Sequence, residues 1–338
     1  MKHGALAALL LISGCADLPR KAPPTPALSV FVVAHPDDWQ LFMNPAAFHA
    51  MNEPHEKALF VHVSAGDAGR GVTGEPTPYY LAREEGALRA IRFMANAANA
   101  TAALGADTKS EAVERAGHKV ARHTYANAVV YFLRVHDGNI VNGNDYQEHP
   151  LSLQRLRSGA SAETKAVDDS ARYAGWNDFV ATLEAVITSE LAPGTALNLH
   201  IAELDERRNP GDHPDHRAVA FAMEEIAARL PCARVSRHQE YATRDRRPNV
   251  TGEDYMIDVG TWAATASGLS DSHAGSTWEP GHNAWVGRDY HRTQKPHGTC
   301  GGATSAPATL ESLQAQSSDG TRIGRTIAHT PPPRVRPP

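Results

Sequence analysis

Two short motifs hold most of the chemistry this chain can do. His35-Pro36-Asp37-Asp38 places one imidazole and two carboxylates within four residues, and Asp212-His213-Pro214-Asp215-His216 places two of each within five. Imidazole nitrogen and carboxylate oxygen together suit a borderline cation such as zinc. His213 and His216 are three apart, so both can lie on one face of a first helical turn. Pro214 fits the first helical position, and acids near it suit the positive helix end. Singly each motif is weak, because His-x-x-His arises by chance and a His near a helix start is commonly a cap. The pair, each following a strand-like run, points to a metal site.

The elements that must position these groups are readable. Leu28–Ala34 is a short β-branched run that leads straight into the first motif, and Ala58–Ser64, Ala128–Val135 and Ala196–Ala202 are three more. Ala233–Tyr241 is a weaker strand. Helices are expected over Trp39–Met51, over Tyr79–Leu104 behind Pro78, over Trp176–Ser189 and over Pro214–Leu230. The Trp176–Ser189 helix shows its period at Phe179, Val180, Leu183, Val186 and Ile187. Strands alternating with helices predict an α/β fold with a mostly parallel sheet. In such sheets ligands bind outside the carboxyl ends of the strands, where both motifs fall.

Ala34-His-Pro-Asp-Asp38 with the later His213-Pro-Asp-His216 resembles the PIG-L/LmbE-type zinc-dependent de-N-acetylases. The resemblance runs from about Val30 to about Ala220. Ser64–Gly69 resembles the family loop after the second strand, Arg83-Glu84 the start of its long helix, and Asp137-Gly138 its acidic turn. The resemblance implies a Rossmann-like sheet flanked by helices with no nucleotide, followed by a less regular C-terminal extension. It implies one Zn2+ per chain, or another divalent metal, held by His35, Asp38 and His216. It implies Asp37 as general base and His213 as the residue that stabilises the tetrahedral intermediate or protonates the leaving amine. Arg83 and Asp137 are implied to touch sugar hydroxyls. Three protein ligands leave zinc an open position, and zinc supplies both a nucleophile near neutral pH and a polarised carbonyl. A carboxylate beside a ligand and a His opposite complete the acid–base pair. The expected reaction is removal of the N-acetyl group from an N-acetylglucosamine-type amino sugar in a glycan or glycolipid. Hydrolysis of another amide or acyl bond, or carbohydrate binding without turnover, are the alternatives, and a carboxylate at Asp37 free of the metal favours an enzyme.

Two departures from that family pattern stand out. Trp39 occupies the position where many members carry Glu; it reads as a packing residue, with a sugar-stacking wall as the alternative. Gly211-Asp212 stands where some members carry a Tyr that serves the oxyanion, and no substitute donor is evident in the sequence.

The remaining features bound the reading. With 338 residues and 41% hydrophobic composition the chain can bury a core. A net charge of -5, from 33 Lys+Arg against 38 Asp+Glu, excludes a basic nucleic-acid binder. Met1 to Gly14 has a charged start and an apolar run from Ala5 to Ile12, a signal peptide too short to span a bilayer. Ile12-Ser13-Gly14-Cys15 resembles a bacterial lipobox, so Cys15 is expected to carry a lipid that anchors the protein to a membrane. Ala16 after that Cys resembles lipoproteins not retained in the inner membrane. The expected address is that of an exported lipoprotein, in the periplasm or at the outer membrane or cell surface. Residues 15–26 then form a tether, 27–300 the catalytic domain, and 301–338 a Pro/Ser/Gly-rich disordered tail. Cys232 and Cys300 either pair or remain thiols.

Gly69-Arg-Gly71-Val-Thr-Gly74 matches a dinucleotide fingerprint, but Pro76 and Pro78 follow where a helix must open, so no nucleotide is expected. Asp205 either lines the pocket or is a solvated loop acid. Tyr241–Asn249 reads as a solvated loop, with contact to an anionic or hydroxylated substrate as the alternative, and Trp285–Arg292 as a packing helix, with an aromatic face for a sugar as the alternative. His273, His282, His291 and His297 show no metal-ligand spacing.

Overall fold

The computed structural model of the protein describes residues 25–98, 107–142 and 145–298. The expected signal peptide, all of the tether before residue 25, and the tail from Gly301 lie outside the described residues, as do Cys15 and Cys300. Cys232 is disulfide-bonded.

In chain order the elements are β1 (Ala27–Val33), α1 (Asp38–Phe42), α2 (Asn44–Asn52), β2 (Glu56–Ser64), α3 (Tyr79–Ala98), β3 (Lys109–Arg115), β4 (His118–Tyr125) and β5 (Ala128–Val135). A ribbon of β6 (Asn139–Asn142) and β7 (Asp145–Glu148) follows, then α4 (Leu153–Ser158), β8 (Thr164–Lys165), β9 (Arg172–Tyr173), α5 (Trp176–Ser189) and β10 (Ala196–Ala202). The chain continues through α6 (Pro214–Arg229), β11 (Arg234–His238), a 3-10 turn at Tyr241–Thr243, α7 (Gly252–Asp271), α8 (Pro280–Asn283) and β12 (His291–Gln294).

Eight strands form the central sheet in the order β12-β11-β10-β1-β2-β5-β4-β3. The five from β11 to β5 are parallel, and the outer strands on both sides are antiparallel. From β1 the chain moves outward to β2 on one side and later to β10 on the other. This reversal of strand order makes the crevice between the carboxyl ends of β1 and β10 the place where an open α/β sheet takes ligands.

Both sheet faces are covered, which is why the parallel strands read as continuous apolar runs rather than alternating ones. Leu28, Val30 and Val32 of β1 point into one core with Phe179, Leu183 and Ile187 of α5 and Val219, Met223 and Ile226 of α6. Phe31 and Val33 point into the other, with Trp39 and Phe42 of α1, Ile91 and Met94 of α3, and Trp262 of α7.

The single helix expected over Trp39–Met51 is broken at Met43 into α1 and α2. Pro45 lacks an N–H and is tolerated only in a helix's first turn, so a second helix must start there. Within the C-terminal extension, α7 runs for 20 residues. It contains Gly260, Thr261, Thr265, Ser267, Gly268 and Ser270, all poor helix formers, and packing against α3 stabilises it instead. A Cβ on Gly268 would sit 2.5 Å from the Cα of Gly86, so both glycines are what let the two helices cross this closely. The helix expected over Trp285–Arg292 is not formed; that segment turns and enters β12, an edge strand antiparallel to β11. Among the described residues no helix is long and apolar enough to cross a membrane.

Candidate active site

β1 delivers His35 to the crevice, and the turn after it closes on itself. The His35 backbone N–H donates to Asp38 Oδ2 at 2.6 Å, and the Asp38 N–H donates to the His35 carbonyl at 3.4 Å. The Asp38 carboxylate is thereby turned back beside the His35 ring. From the other side, α6 starts with His213 as its N-cap and carries His216 in its first turn. His35 Nδ1 lies 3.1 Å from His216 Nε2, Asp38 Oδ2 3.5 Å from His35 Nδ1, and Asp38 Oδ1 3.3 Å from His216 Nε2. A tetrahedral ion with bonds of about 2.0–2.1 Å sets its donors about 3.3–3.4 Å apart. The two imidazoles, and Asp38 through a different oxygen to each ring, therefore sit close to the spacing of metal ligands.

The far side of each ring is held by carboxylates, which decides which nitrogen is free. His35 Nε2 is 3.4 Å from Asp215 Oδ2 and 3.9 Å from Asp137 Oδ2. His216 Nδ1 is 2.9 Å from Asp212 Oδ1 and 2.6 Å from Glu240 Oε2. Proton on the outer nitrogen leaves His35 Nδ1 and His216 Nε2 with lone pairs facing each other, the arrangement that orients metal-binding imidazoles. Burial alone would lower both rings' pKa values. Asp38, Asp215 and Asp137 instead lift His35 to about 10, and Asp38, Glu240 and Asp212 lift His216 well above its ordinary value. The same negative field favours a bound cation. Glu240, fully buried, is pushed up to about 8 by burial, with Asp212 adding to the rise and His216 opposing it.

A pocket of about 120 Å³ opens over this cluster, and His35, Asp37, Asp38, Arg83, Asp137 and His213 line it. His216 lies directly against it, 1% exposed. All seven residues singled out in the sequence are thus brought together. Arg83, on α3, donates from Nη2 to Asp37 Oδ1 and from Nη1 to the Gly66 carbonyl at 2.9 Å. His213 Nδ1 accepts the Asp215 backbone N–H at 3.1 Å, and its Nε2 lies 2.7 Å from the donating Asn139 side-chain Nδ2. Burial, with His35 next in effect, pushes His213 down to about 3. Asp137 accepts the Asn139 N–H at 3.0 Å, and its own N–H donates to Asp67 at 2.9 Å. Gly138 donates to Asp215 Oδ2 at 2.7 Å, and a Cβ there would meet Asp215 Oδ1 at 2.3 Å, which is why glycine follows Asp137.

The rest of the wall comes largely from the two segments whose leading sequence readings are a loop and a packing helix. Tyr241, expected in a solvated loop, lines the pocket with Phe42, His282 and Trp285. The Tyr241 and Trp285 rings stack with centroids 4.9 Å apart. Trp39 is fully buried, donates from Nε1 to His62 Nε2 at 3.1 Å and packs on Phe60, so it is a core residue and no sugar wall. Asp205 pairs with Arg207 outside the pocket. The Gly69–Gly74 loop opens no helix, since α3 starts only at Tyr79. Asp212, Asp215 and Asn139 lie in or beside the motifs, and their roles show only once their partners are in place. Glu240 follows a short strand far from both motifs and has no sequence signal.

The chain was compared with known proteins. No curated protein sequence matches it. Among solved structures it is similar to N,N'-diacetylchitobiose deacetylase from Pyrococcus horikoshii complexed with its inhibitor MPG, at 15% identity and a TM-score of 0.42, over 80% of this chain and 84% of that one. The profile of the GlcNAc-PI de-N-acetylase (PIG-L) family matches residues 30–227, the stretch that contains the second half of β1, β10, both motifs and nearly all of α6. The chain therefore belongs to the PIG-L family of metal-dependent, amide-hydrolysing de-N-acetylases.

Proposed function

We propose that this protein is a zinc-dependent hydrolase that removes the N-acetyl group from an N-acetylglucosamine-type amino sugar in a glycan or glycolipid. His35, Asp38 and His216 hold the ion. The observation that carries the reading is their mutual spacing of 3.1 to 3.5 Å at the carboxyl edge of the sheet, with Asp37 beside them and free of the triad. Two nitrogens and one oxygen leave zinc an open position. When bound, zinc supplies Lewis acidity toward the acetamido carbonyl and a nucleophile at neutral pH.

The chain's own groups do the rest. Asp37 takes the proton of the attacking water, and Arg83, bonded to Asp37 Oδ1, fixes the direction of that carboxylate. His213 is fixed in the pocket wall by the Asp215 amide on its Nδ1. Once the Asn139 amide turns away from Nε2, a proton on that nitrogen would stabilise the charge developing on the carbonyl oxygen. Asp137 and the remaining Arg83 donors meet sugar hydroxyls, and the Tyr241–Trp285 pair offers an aromatic face to the ring's C–H groups. At about 120 Å³ the pocket is smaller than the roughly 300–1,000 Å³ typical of whole-ligand sites, so it takes the acetamido group and one ring edge. The rest of a glycan or lipid then stays outside. The lipobox-like Ile12–Cys15 supports an exported, lipid-anchored protein, which the mass of the mature N-terminal peptide checks.

Free acetate is the assay. The zinc-loaded protein is given N-acetylglucosamine, chito-oligosaccharides, peptidoglycan fragments and N-acetylglucosaminyl lipids, each beside an Asp37→Ala control. Release that needs Asp37 is expected from at least one amino-sugar substrate. No release from any of them, with zinc bound stoichiometrically, refutes the substrate class and leaves another acyl bond or a binding role.

A further inference from the structure

A second histidine–carboxylate cluster lies outside the pocket, on the strand pair at one edge of the sheet. His238 ends β11 and stands directly opposite His291, the first residue of β12. Their rings are 4.9 Å apart. Asp289 reaches both, its Oδ1 lying 3.2 Å from His238 Nδ1 and 2.8 Å from His291 Nδ1. The carbonyl oxygen of Phe42, at the end of α1, lies 3.1 Å from the same His238 nitrogen. We propose that His238, Asp289 and His291, with the Phe42 carbonyl, form a second metal site for a divalent transition cation.

Four features carry this. First, ligand-capable atoms of all three side chains lie within 4.8 Å of one another. Second, the separations of 2.8 to 3.2 Å match the roughly 3.0 Å between neighbouring donors on a six-coordinate ion with bonds of about 2.1 Å. Third, His238 Nδ1 faces two oxygen acceptors with at most one hydrogen to give, whereas a cation at their centre engages both oxygens and the nitrogen at once. Fourth, the other His238 nitrogen is 3.0 Å from His200 Nδ1, a buried partner of the kind that fixes which nitrogen of a metal-binding imidazole stays free. Imidazole donors select a transition cation such as zinc over magnesium or calcium. His238 is fully buried and His291 is 38% exposed at its side chain, so the ion has an inner seat and an outer entry.

The site has a structural consequence. Phe42 turns its ring to the catalytic pocket, against Trp285 at 5.7 Å, and its carbonyl to the second site. A cation there ties the end of α1 to the strand that follows Trp285, and so braces the aromatic wall. It does not depend on the deacetylase reading, because none of its three side chains lines the pocket.

The test uses the tag-free full chain, stripped with chelator and titrated with Zn2+, the bound metal being counted by mass spectrometry after desalting. Two equivalents are expected in wild type, one in His291→Ala and in Asp289→Asn, one in His216→Ala, and none in the His216→Ala/His291→Ala double variant. A wild type that takes one equivalent, a His291→Ala variant that keeps two, or a double variant that keeps one overturns the proposal. Bound Co2+, counted by mass spectrometry in the same way, gives a second readout if His291→Ala folds poorly. In His216→Ala, with the catalytic triad broken, one equivalent of Co2+ is expected to remain. None overturns the proposal as surely.

Discussion

Arg83 and Asp37 form a buried ion pair in the pocket wall, with one guanidinium nitrogen on Asp37 Oδ1 and another on the Gly66 carbonyl. The second bond pins the guanidinium, so Arg83 acts as a bracket that sets where Asp37 points. Asp37→Asn keeps a bond from Arg83 and removes the base. It is expected to lower kcat by about 10²–10⁴-fold with metal content unchanged. Arg83→Met frees the carboxylate to swing and is expected to lower kcat by about 10²-fold. Arg83→Lys, with one point charge in place of a fork, should recover part of that. A wild-type kcat in Arg83→Met, with only KM raised, would show that Arg83 serves substrate binding alone and does not position Asp37.

The carboxylates behind the two imidazoles are expected to matter for affinity although they touch no metal. Asp212 and Glu240 both face His216 Nδ1, and Asp215 faces His35 Nε2. Asp212→Asn and Glu240→Gln keep volume and lose a fixed acceptor for the ring N–H. Each should weaken zinc binding about 10–100-fold. Competition with a chelator of known affinity measures it. Wild-type affinity in both would mean that the rings are oriented by packing alone.

Gly138→Ala tests the close approach of the Asp137 turn to α6. The added methyl would meet Asp215 Oδ1 at 2.3 Å and Gln154 Oε1 at 3.0 Å. Asp215 must move, and it is the partner of His35. A loss of about 1–3 kcal/mol in stability is expected, together with weaker zinc binding. Unfolding in chelator separates the first effect from the second.

What the sequence disclosed of this site follows from how its parts are built. β1 and β10 are covered on both faces, so their apolar runs stand out, and each motif follows such a run within a few residues or one short loop. Glu240 and Tyr241 sit after β11, a strand of five residues that begins and ends in Arg and His, and neither belongs to any spacing pattern. The β3–β4 hairpin carries little signal because β3 is largely exposed, β4 mostly half-buried, and both are rich in charged and polar residues with little apolar alternation. Asp289 and His291 fall in a stretch whose mixed aromatic and basic side chains, Trp285, Arg288 and Tyr290, suggest a packing helix. The pairing of His291 with His238 is a register fact that only the sheet reveals.

At Gly268 two known effects oppose each other, and their sizes decide. Replacing a mid-helix glycine with alanine gains about 1 kcal/mol in propensity. Here the new methyl would lie 2.5 Å from the Gly86 Cα and 2.6 Å from its nitrogen, backbone atoms that cannot turn aside. Overpacking of that kind costs about 1–3 kcal/mol. Gly268→Ala is therefore expected to lower the denaturation midpoint. A raised midpoint would mean that α3 and α7 part without penalty.

Asp258 on α7 supplies a pH dependence with a definite sign. It is 2% exposed and accepts from Asn44 Nδ2 at 2.9 Å and from the Gly287 N–H. Burial pushes it up to about 6, against the pull of those two bonds. An unfolded chain releases this proton near about 3.9, so between the two values the folded state binds the proton more tightly. Stability contributed by this group therefore rises as pH falls from about 6 toward 4, and the cost of an ionised buried carboxylate is present in full above 6. Asp258→Asn cannot titrate, and it loses the acceptor for Gly287 while keeping one for Asn44. Denaturant unfolding of both proteins at intervals from pH 7.5 to 4.5 is the check. The stability of wild type relative to Asp258→Asn is expected to grow steadily toward low pH, and a constant difference would mean that Asp258 keeps an ordinary carboxylate pKa in the folded protein.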